Sequence, residues 1–142
     1  MKPQFKNYNS KDYEAVCDFL IELNRKSRNH INWNWGRFEW MMEHPEFDKS
    51  LMNSIGIWID DDRVVGAAIY DMYFGEAFVG VLPEYSALCP EILDYAYREL
   101  NDENGLGIAI CDTCFDEICT VESTGFEIAE QTEIVMRIDL NK

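Results

Sequence analysis

Basic residues are scarce in this sequence of 142 residues, which has 12 lysines and arginines against 27 aspartates and glutamates and a net charge of −15. A surface of this sign repels nucleic acid and anionic lipid, so we predict that neither is a partner.

Long apolar runs are also missing. The longest covers residues 64–70, far fewer than the roughly 20 that a membrane-spanning helix needs. No basic and apolar leader opens the sequence, so we expect no membrane association.

The cysteines do not form the pattern of a disulfide framework. Five of them, an odd number, are scattered through apolar stretches, which predicts a reducing, cytoplasmic location. Cys111 and Cys114 have the spacing of a redox pair or half a zinc site, but only Cys119 lies nearby. The two histidines, His30 and His44, are far upstream and have no nucleophile or carboxylate at a telling spacing. We therefore predict buried or half-buried thiols and no metal site.

Hydrophobic periodicity divides the sequence into short elements of one domain, residues 1–142. No repeat, low-complexity tract or linker interrupts it, and 47% apolar residues are too many for disorder. The predicted order is β-α-α-β-β-β-α-β-α-β. The strands are expected at residues 4–8, 55–59, 64–72, 77–82, 108–111 and 134–140, with turns at 60–62 and 73–76. The helices are expected from a cap at Ser10, over residues 35–43, from Pro90 to residues 104–105, and over 116–124 with Gly125 as the stop.

This order and four landmarks resemble the GNAT superfamily of acyl-CoA-dependent N-acyltransferases, over nearly the whole chain. The landmarks are IWIDDDRVVG at residues 57–66, VGVLPEY at 79–85, ILDYA at 92–96 and GF at 125–126. The segment HINWNWGRFEW, residues 30–40, resembles more narrowly the degenerate N-terminal half of proteins with two GNAT-like domains in tandem. The resemblance implies an α/β, three-layer sandwich in which helices cover both faces of a mixed, mainly antiparallel sheet. It also implies a second GNAT-like domain as a partner.

The resemblance further implies acetyl-CoA as the acyl donor and a small-molecule amine as the acceptor. In the family, backbone groups of the strand that here contains Val79, Gly80, Val81 and Leu82 bind the pantetheine arm. The diphosphate lies on a loop of pattern Arg/Gln-x-x-Gly-x-Gly/Ala, where backbone N–H groups at a helix start bind phosphate. At these positions the sequence has, in order, Ser86, Ala87, Leu88, Cys89, Pro90 and Glu91.

Several residues depart from the family pattern. The cation of the loop is missing, Pro90 removes one N–H donor, and Glu91 is expected to place a carboxylate where the phosphates lie. Glu84 adds a second carboxylate to the same region. Many relatives protonate the leaving thiolate with a tyrosine, and that position is Val121 here. We therefore expect a degraded donor site with weak or absent activity.

Two further sets of residues are candidates for function. Glu76 is a candidate general base, because some GNAT enzymes have a carboxylate on this strand; Asp71 lies across the same turn. Aromatic residues and one arginine form the second set and could line an acceptor pocket or fill an interface or core. They are Trp33, Trp35, Arg37 and Trp40. The alternative function is accordingly a non-catalytic GNAT-like domain that packs against a partner domain or binds a small ligand through this segment.

Overall fold

Five strands form one sheet in which the order across the sheet follows the order along the chain. The computed structural model describes residues 2–26, 33–110 and 120–127. The strands are β1 (Gln4–Asn7), β2 (Gly56–Asp60), β3 (Arg63–Asp71), β4 (Tyr73–Val81) and β5 (Gly107–Ile108). Neighbours from β1 to β4 are antiparallel, whereas β5 is parallel to β4. The predicted mixed, mainly antiparallel sheet is confirmed.

Helices cover both faces of this sheet. The helices α1 (Tyr13–Lys26) and α3 (Cys89–Glu99) both contact β3, and α2 (Trp35–Glu43) packs on α1. Every residue of β3 from Val64 to Tyr70 is buried. Since successive side chains of a strand point to opposite faces, both faces of β3 must be covered. The three-layer α/β architecture is therefore confirmed, and no described helix is both long and apolar enough to cross a bilayer.

The start of the first helix differs from the prediction in one residue. A single 3₁₀ turn, Ser10–Asp12, precedes α1, and Asn9 rather than Ser10 caps it. The Asn9 side chain accepts from the Lys11 backbone N–H, and the Asp12 carboxylate accepts from the Asn9 N–H, each at 2.9 Å. This reciprocal pair of hydrogen bonds is a capping box. Asn9, one residue before the predicted cap Ser10, therefore caps the helical segment. The predicted bounds of α2 are confirmed.

The turn between β3 and β4 is tighter than predicted. Residues 73–76 were expected to form it, but they belong to β4, and the chain reverses at Met72 with a φ of 69°. A register shift at the end of β3 accommodates the extra residues of β4, and Gly75 adopts a φ of 111° there. The predicted turn after β2 is confirmed, with Asp61 and Asp62 at φ values of 53° and 61°.

The chain after β4 follows the predicted order with shorter elements. A 3₁₀ segment, Pro83–Leu88, leads into α3, which ends at Glu99 before the predicted residues 104–105. Residues 102–105 instead close a tight turn by a bridge between Asp102 and Gly105. Residues 120–123 are helical and Gly125 has a φ of 102°, as expected of a helix stop. The rest of that helix, the cysteines at 111, 114 and 119 and the predicted strand at 134–140 lie outside the described residues.

Candidate functional site

The strands β4 and β5 run together for only two residue pairs. Glu76 pairs with Gly107 and Ala77 pairs with Ile108. β4 then continues to Val81, whereas residues 109 and 110 have no strand structure. Within the described part of the chain, the β5-facing edge of residues 78–81 therefore has no strand partner, and the sheet is open at this point.

Hydrogen bonding to β3 decides which backbone groups of β4 face this opening. The Leu82 N–H donates to the Val65 carbonyl oxygen at 2.9 Å. Because bonding alternates along an antiparallel pair, Gly80 also bonds to β3, while the N–H and C=O groups of Val79 and Val81 point away from β3. Of the predicted donor-site residues at 79–82, Val79 and Val81 thus present their backbone to the opening, whereas Gly80 and Leu82, which directly follows β4, do not.

Two stacked rings fill the side of β4 that faces α1. The rings of Trp33 and Phe78 lie 5.2 Å apart at an interplanar angle of 15°, and both residues are buried. The Phe78 ring lies directly against Gly80, where a Cβ atom would come within 2.6 Å of the ring and 3.0 Å of Leu23 Cδ2. Trp33 is therefore a core residue. Glycine at position 80 leaves room for the Phe78 ring, because any larger residue would place its Cβ atom against the ring.

The other members of the Trp-rich segment differ in position: Arg37 contacts Trp33, whereas Trp35 and Trp40 are exposed. Arg37 lies over the Trp33 ring, with its guanidinium carbon 5.5 Å from the ring centre, and pairs through Nη2 with Asp71 Oδ2 at 2.7 Å. Trp35 and Trp40 are 45% and 57% exposed. The segment thus contributes one tryptophan to the core and two to the surface, and the charge of Arg37 is balanced by Asp71.

The segment before α3 uses its own backbone groups and does not form an open phosphate loop. It is a 3₁₀ segment in which the Cys89 N–H donates to the Ser86 carbonyl oxygen, and Pro90 has no N–H to offer. Ser86 and Ala87 are exposed and Leu88 is buried. The Cys89 N–H is therefore already bonded within this segment, and weak diphosphate binding stays a prediction.

The carboxylate of Glu91 is directed towards β2. Its Oε1 accepts from the buried Trp58 indole Nε1–H at 3.0 Å, and its Oε2 lies 3.0 Å from Lys2 Nζ. The hydrogen bonds from Trp58 and Lys2 hold the pKa of Glu91 below its usual value. Trp58 pairs with Gly66 of β3, which pairs with Val81 of β4. The carboxylate therefore lies against β2, two strands from the open edge of β4, and the clash expected with a diphosphate on the loop at residues 86–91 stays a prediction.

A charged network next to the 3₁₀ segment was not anticipated from the sequence. Lys26 of α1 pairs with Glu84 at 2.6 Å and with Glu22 at 2.8 Å. Tyr85 donates its hydroxyl to Asp60 at 2.6 Å. The hydrogen bond from Lys26 holds the pKa of Glu84 below its usual value. The sequence alone shows only that Glu22 and Lys26 are four residues apart, a spacing that allows an ion pair along a helix. The network ties the segment before α3 to α1 and to the β2–β3 turn.

Glu76 is the candidate general base, and Val121 stands where many relatives have a tyrosine that protonates the thiolate. These two positions lie in different parts of the structure. Glu76 is exposed at the start of the β4–β5 pairing, three residues before Val79, which is roughly 10 Å along a strand. Val121 is buried, and its carbonyl oxygen accepts from the N–H of Thr124 and Phe126 at the end of the helical turn. Glu76 therefore lies on β4, the strand that also carries Val79 and Val81. The exposed Trp35 and Trp40 lie on α2 instead.

This architecture, with its five-stranded sheet, helices on both faces and a short parallel pairing of β4 with β5, is the GNAT fold. It is similar to the ribosomal-protein-S18-alanine N-acetyltransferase from Escherichia coli, with a TM-score of 0.61 and 17% identity over 89% of this chain and 79% of that chain. It is also similar to the acetyltransferase AAC(6')-Iy, solved with a bisubstrate analog of CoA, with a TM-score of 0.52 and 12% identity over 98% of this chain and 100% of that chain.

A third similar structure is an aminoglycoside acetyltransferase from an uncultured soil metagenomic sample, solved with sisomicin. The TM-score is 0.53 and the identity 10%, over 97% of this chain and 96% of that chain. No family model matches the sequence, and the search of curated proteins finds no match. At these identities the comparisons establish the fold.

Proposed function

We propose that this chain is an acetyltransferase domain that takes an acetyl group from acetyl-CoA, transfers it to a small-molecule amine, and binds the nucleotide end of its donor weakly. The observation that carries the proposal is the open edge of β4. There the backbone groups of Val79 and Val81 point away from β3 into the gap beside β5. An extended amide chain such as pantetheine fits such an edge as an additional strand does.

The two ends of acetyl-CoA fit the chain unequally. The half-buried edge at residues 79–81 offers alternating donors and acceptors to the pantetheine arm. The nucleotide end meets a segment whose Cys89 N–H is already bonded, which has no N–H at Pro90 and no basic residue between 83 and 91. The pantetheine arm should therefore supply most of the affinity.

The residues near this edge suggest how transfer would proceed. Bound acetyl-CoA supplies an acyl group activated as a thioester. One of the N–H groups of Val79 and Val81 would donate to the thioester carbonyl oxygen and stabilise the negative charge that develops on it, while the other binds the pantetheine arm. Glu76, roughly 10 Å from Val79 along the strand, would accept the proton of the amine through water. Val121 has no proton to donate, so the leaving CoA thiolate would take its proton from solvent, which favours a slow reaction.

Titration calorimetry with acetyl-CoA and with S-acetylpantetheine tests this proposal. If the arm supplies the affinity, the two dissociation constants should agree within about tenfold, a difference below about 1.4 kcal/mol. Saturable binding together with release of free CoA in the presence of small amines would support the proposal. Failure of both compounds to bind at about 10 mM would refute it.

Ser86→Arg provides a sharper version of the same experiment, because it restores the missing cation of the loop. Ser86 is exposed, so the fold should tolerate the change. We expect tighter binding of acetyl-CoA and unchanged binding of S-acetylpantetheine, which has no diphosphate. Ser123→Arg is the matched control, since Ser123 is also exposed but lies outside the segment before α3. Equal gains in both variants would indicate general charge attraction instead.

A second candidate function is a non-catalytic domain that packs against another domain of the same fold. The exposure of Trp35 and Trp40, 45% and 57%, favours it, because large exposed aromatic residues are enriched at interfaces. A second copy of this chain is the simplest probe. Sedimentation velocity should then show self-association that Trp35→Ser combined with Trp40→Ser abolishes. A monomer at all concentrations would contradict this candidate.

A further inference from the structure

A cavity lies on the opposite side of β3 from the open edge of β4. It has a volume of about 480 Å³ and is formed by β1, β2 and α3. Its lining combines aromatic rings with the carboxylates of Glu91 and Glu99. Arg98 also lines it and pairs with Asp94 at 2.9 Å and with Glu99 at 3.9 Å. The cavity therefore combines an apolar wall with two carboxylates, of which Glu99 is paired with Arg98.

Three rings in mutual contact form the apolar wall. Phe5 lies 5.1 Å from Trp58 and 4.9 Å from Tyr95, and Trp58 lies 5.7 Å from Tyr95 between ring centres. Gly56 allows this packing, since a Cβ there would come within 2.7 Å of Tyr95 and 2.9 Å of Phe5. Trp58 and Tyr95 are buried, whereas Phe5 is 43% exposed. The exposed part of the Phe5 ring is thus available to the alkyl part of a ligand.

A fixed carboxylate stands beside this wall. The buried Trp58 indole N–H donates to Glu91 Oε1 and thereby fixes the orientation of the group. The second oxygen, Oε2, binds the Lys2 ammonium at 3.0 Å, although the Lys2 side chain is 71% exposed. Lys2 shows which chemistry the position accepts, a primary ammonium on a flexible alkyl chain. Its high exposure means that little besides this ion pair holds it.

We propose that this cavity, which we call the Glu91 pocket (Phe5, Trp58, Glu91 and Tyr95), binds a primary alkylammonium group, and that Lys2 occupies it until such a ligand displaces Lys2. Aromatic rings and a carboxylate are the groups that bind organic cations. The net charge of −15 attracts cations to the protein as a whole. The Glu91 pocket is independent of the proposed acyl transfer, because β3 separates it from the open edge of β4.

The four tryptophan indole N–H groups provide the measurement, by two-dimensional ¹H–¹⁵N NMR. Only the Trp58 indole donates to Glu91, so n-butylammonium should shift the Trp58 signal saturably and leave those of Trp33, Trp35 and Trp40 in place. A surface site of one ion pair and one ring implies a dissociation constant on the order of millimolar. Sodium at equal ionic strength and neutral n-butanol are the ligand controls. An equal Trp58 shift with either, or no saturable shift, would overturn the proposal.

Variants with matched charge changes test the role of Lys2. Lys2→Ala should tighten n-butylammonium binding about threefold or more, because it removes the internal competitor. Lys6→Ala is the control, since Lys6 has the same charge and pairs with Asp12 instead. Glu91→Gln should abolish binding, whereas Glu84→Gln should not, since Glu84 pairs with Lys26 outside the pocket. Equal effects of the two lysine variants, or of the two glutamate variants, would refute the assignment.

The same titration distinguishes two sources of an alkylammonium. Nα-acetyl-lysine-N-methylamide represents the side chain of a peptide lysine, and n-butylammonium represents a free amine. Tighter binding of the lysine derivative would identify a protein segment as the ligand, and tighter binding of n-butylammonium would identify a free amine. Both outcomes support the proposal that the Glu91 pocket binds an alkylammonium group. If neither compound binds to the Lys2→Ala variant, the proposal is refuted.

Discussion

Replacing Gly80 by alanine should destabilise the fold through one contact. Gly80 lies on β4 between Val79 and Val81, and its backbone conformation does not require glycine. A Cβ atom there would lie 2.6 Å and 2.9 Å from two atoms of the Phe78 ring and 3.0 Å from Leu23 Cδ2. Leu23 can change rotamer, but the Phe78 ring is stacked on Trp33 and has little room. The ring must therefore move away from the strand.

Two opposing contributions set the magnitude of this effect. Overpacking a core site costs about 1–3 kcal/mol. Alanine in a strand gains about 0.5–1 kcal/mol over glycine, because the unfolded chain loses less entropy. The net loss of unfolding free energy should lie between about 0 and 2.5 kcal/mol, and its centre near about 1.3 kcal/mol lowers the melting temperature by roughly 3–5 °C in a domain of this size.

Urea denaturation of Gly80→Ala and Gly107→Ala separates two contributions: the steric contact of the new Cβ atom with the Phe78 ring, and the entropy gained when alanine replaces glycine. Gly107 lies on β5, and a Cβ there would meet nothing closer than 3.8 Å, so its alanine variant should be neutral or slightly more stable. In a Phe78→Leu background, the cost of Gly80→Ala should fall by about 1 kcal/mol or more, because the ring is gone. A Gly80→Ala variant as stable as Gly107→Ala, or a cost that is unchanged without the ring, would refute this reasoning.

Two further predictions concern charged groups. Asp71→Asn should lower the unfolding free energy by about 1–2 kcal/mol in urea denaturation, because the pair with Arg37 is only 27% and 17% exposed. The control Asp94→Asn, whose pair with Arg98 is mostly exposed, should cost less than about 0.5 kcal/mol, and equal costs would contradict this. The folded-state pKa of Glu91 is lowered, so its ionised form stabilises the fold above the unfolded pKa of about 4.3, and this contribution is lost as the pH falls through the folded pKa. Glu91→Gln should therefore destabilise at about pH 7 and approach the wild type near pH 3, and a pH-independent difference would contradict the lowered pKa.

Local spacing was sufficient to predict most of the elements. The bounds of α2, the turn after β2 and the glycine stop at Gly125 depend on neighbours within a few residues, and all were predicted. The cap at Asn9 and the reversal at Met72 were not predicted. Asn9 and Ser10 are both good caps, and whether Gly75 lies in a turn or in an irregular strand depends on how β4 pairs with β3.

The site depended on contacts between residues far apart in the sequence. The direction of the Glu91 carboxylate follows from Trp58, 33 residues away, whose buried indole N–H requires an acceptor. The division of the tryptophans followed from Phe78, which provides a stacking partner for Trp33 but not for Trp35 or Trp40. Neither relation has a signature in the local sequence.

The amino-acid sequence alone predicted the order of the described elements and the class of sheet, because these depend on single residues and short-range periodicity, whereas the losses expected at Pro90 and Val121 stay predictions. The tertiary structure decided that the backbones of Val79 and Val81 face the gap beside β5 and that the Glu91 carboxylate lies against β2. Both depend on strand register and on the packing of α3, and a shift of one residue in the register would expose the opposite set of backbone groups.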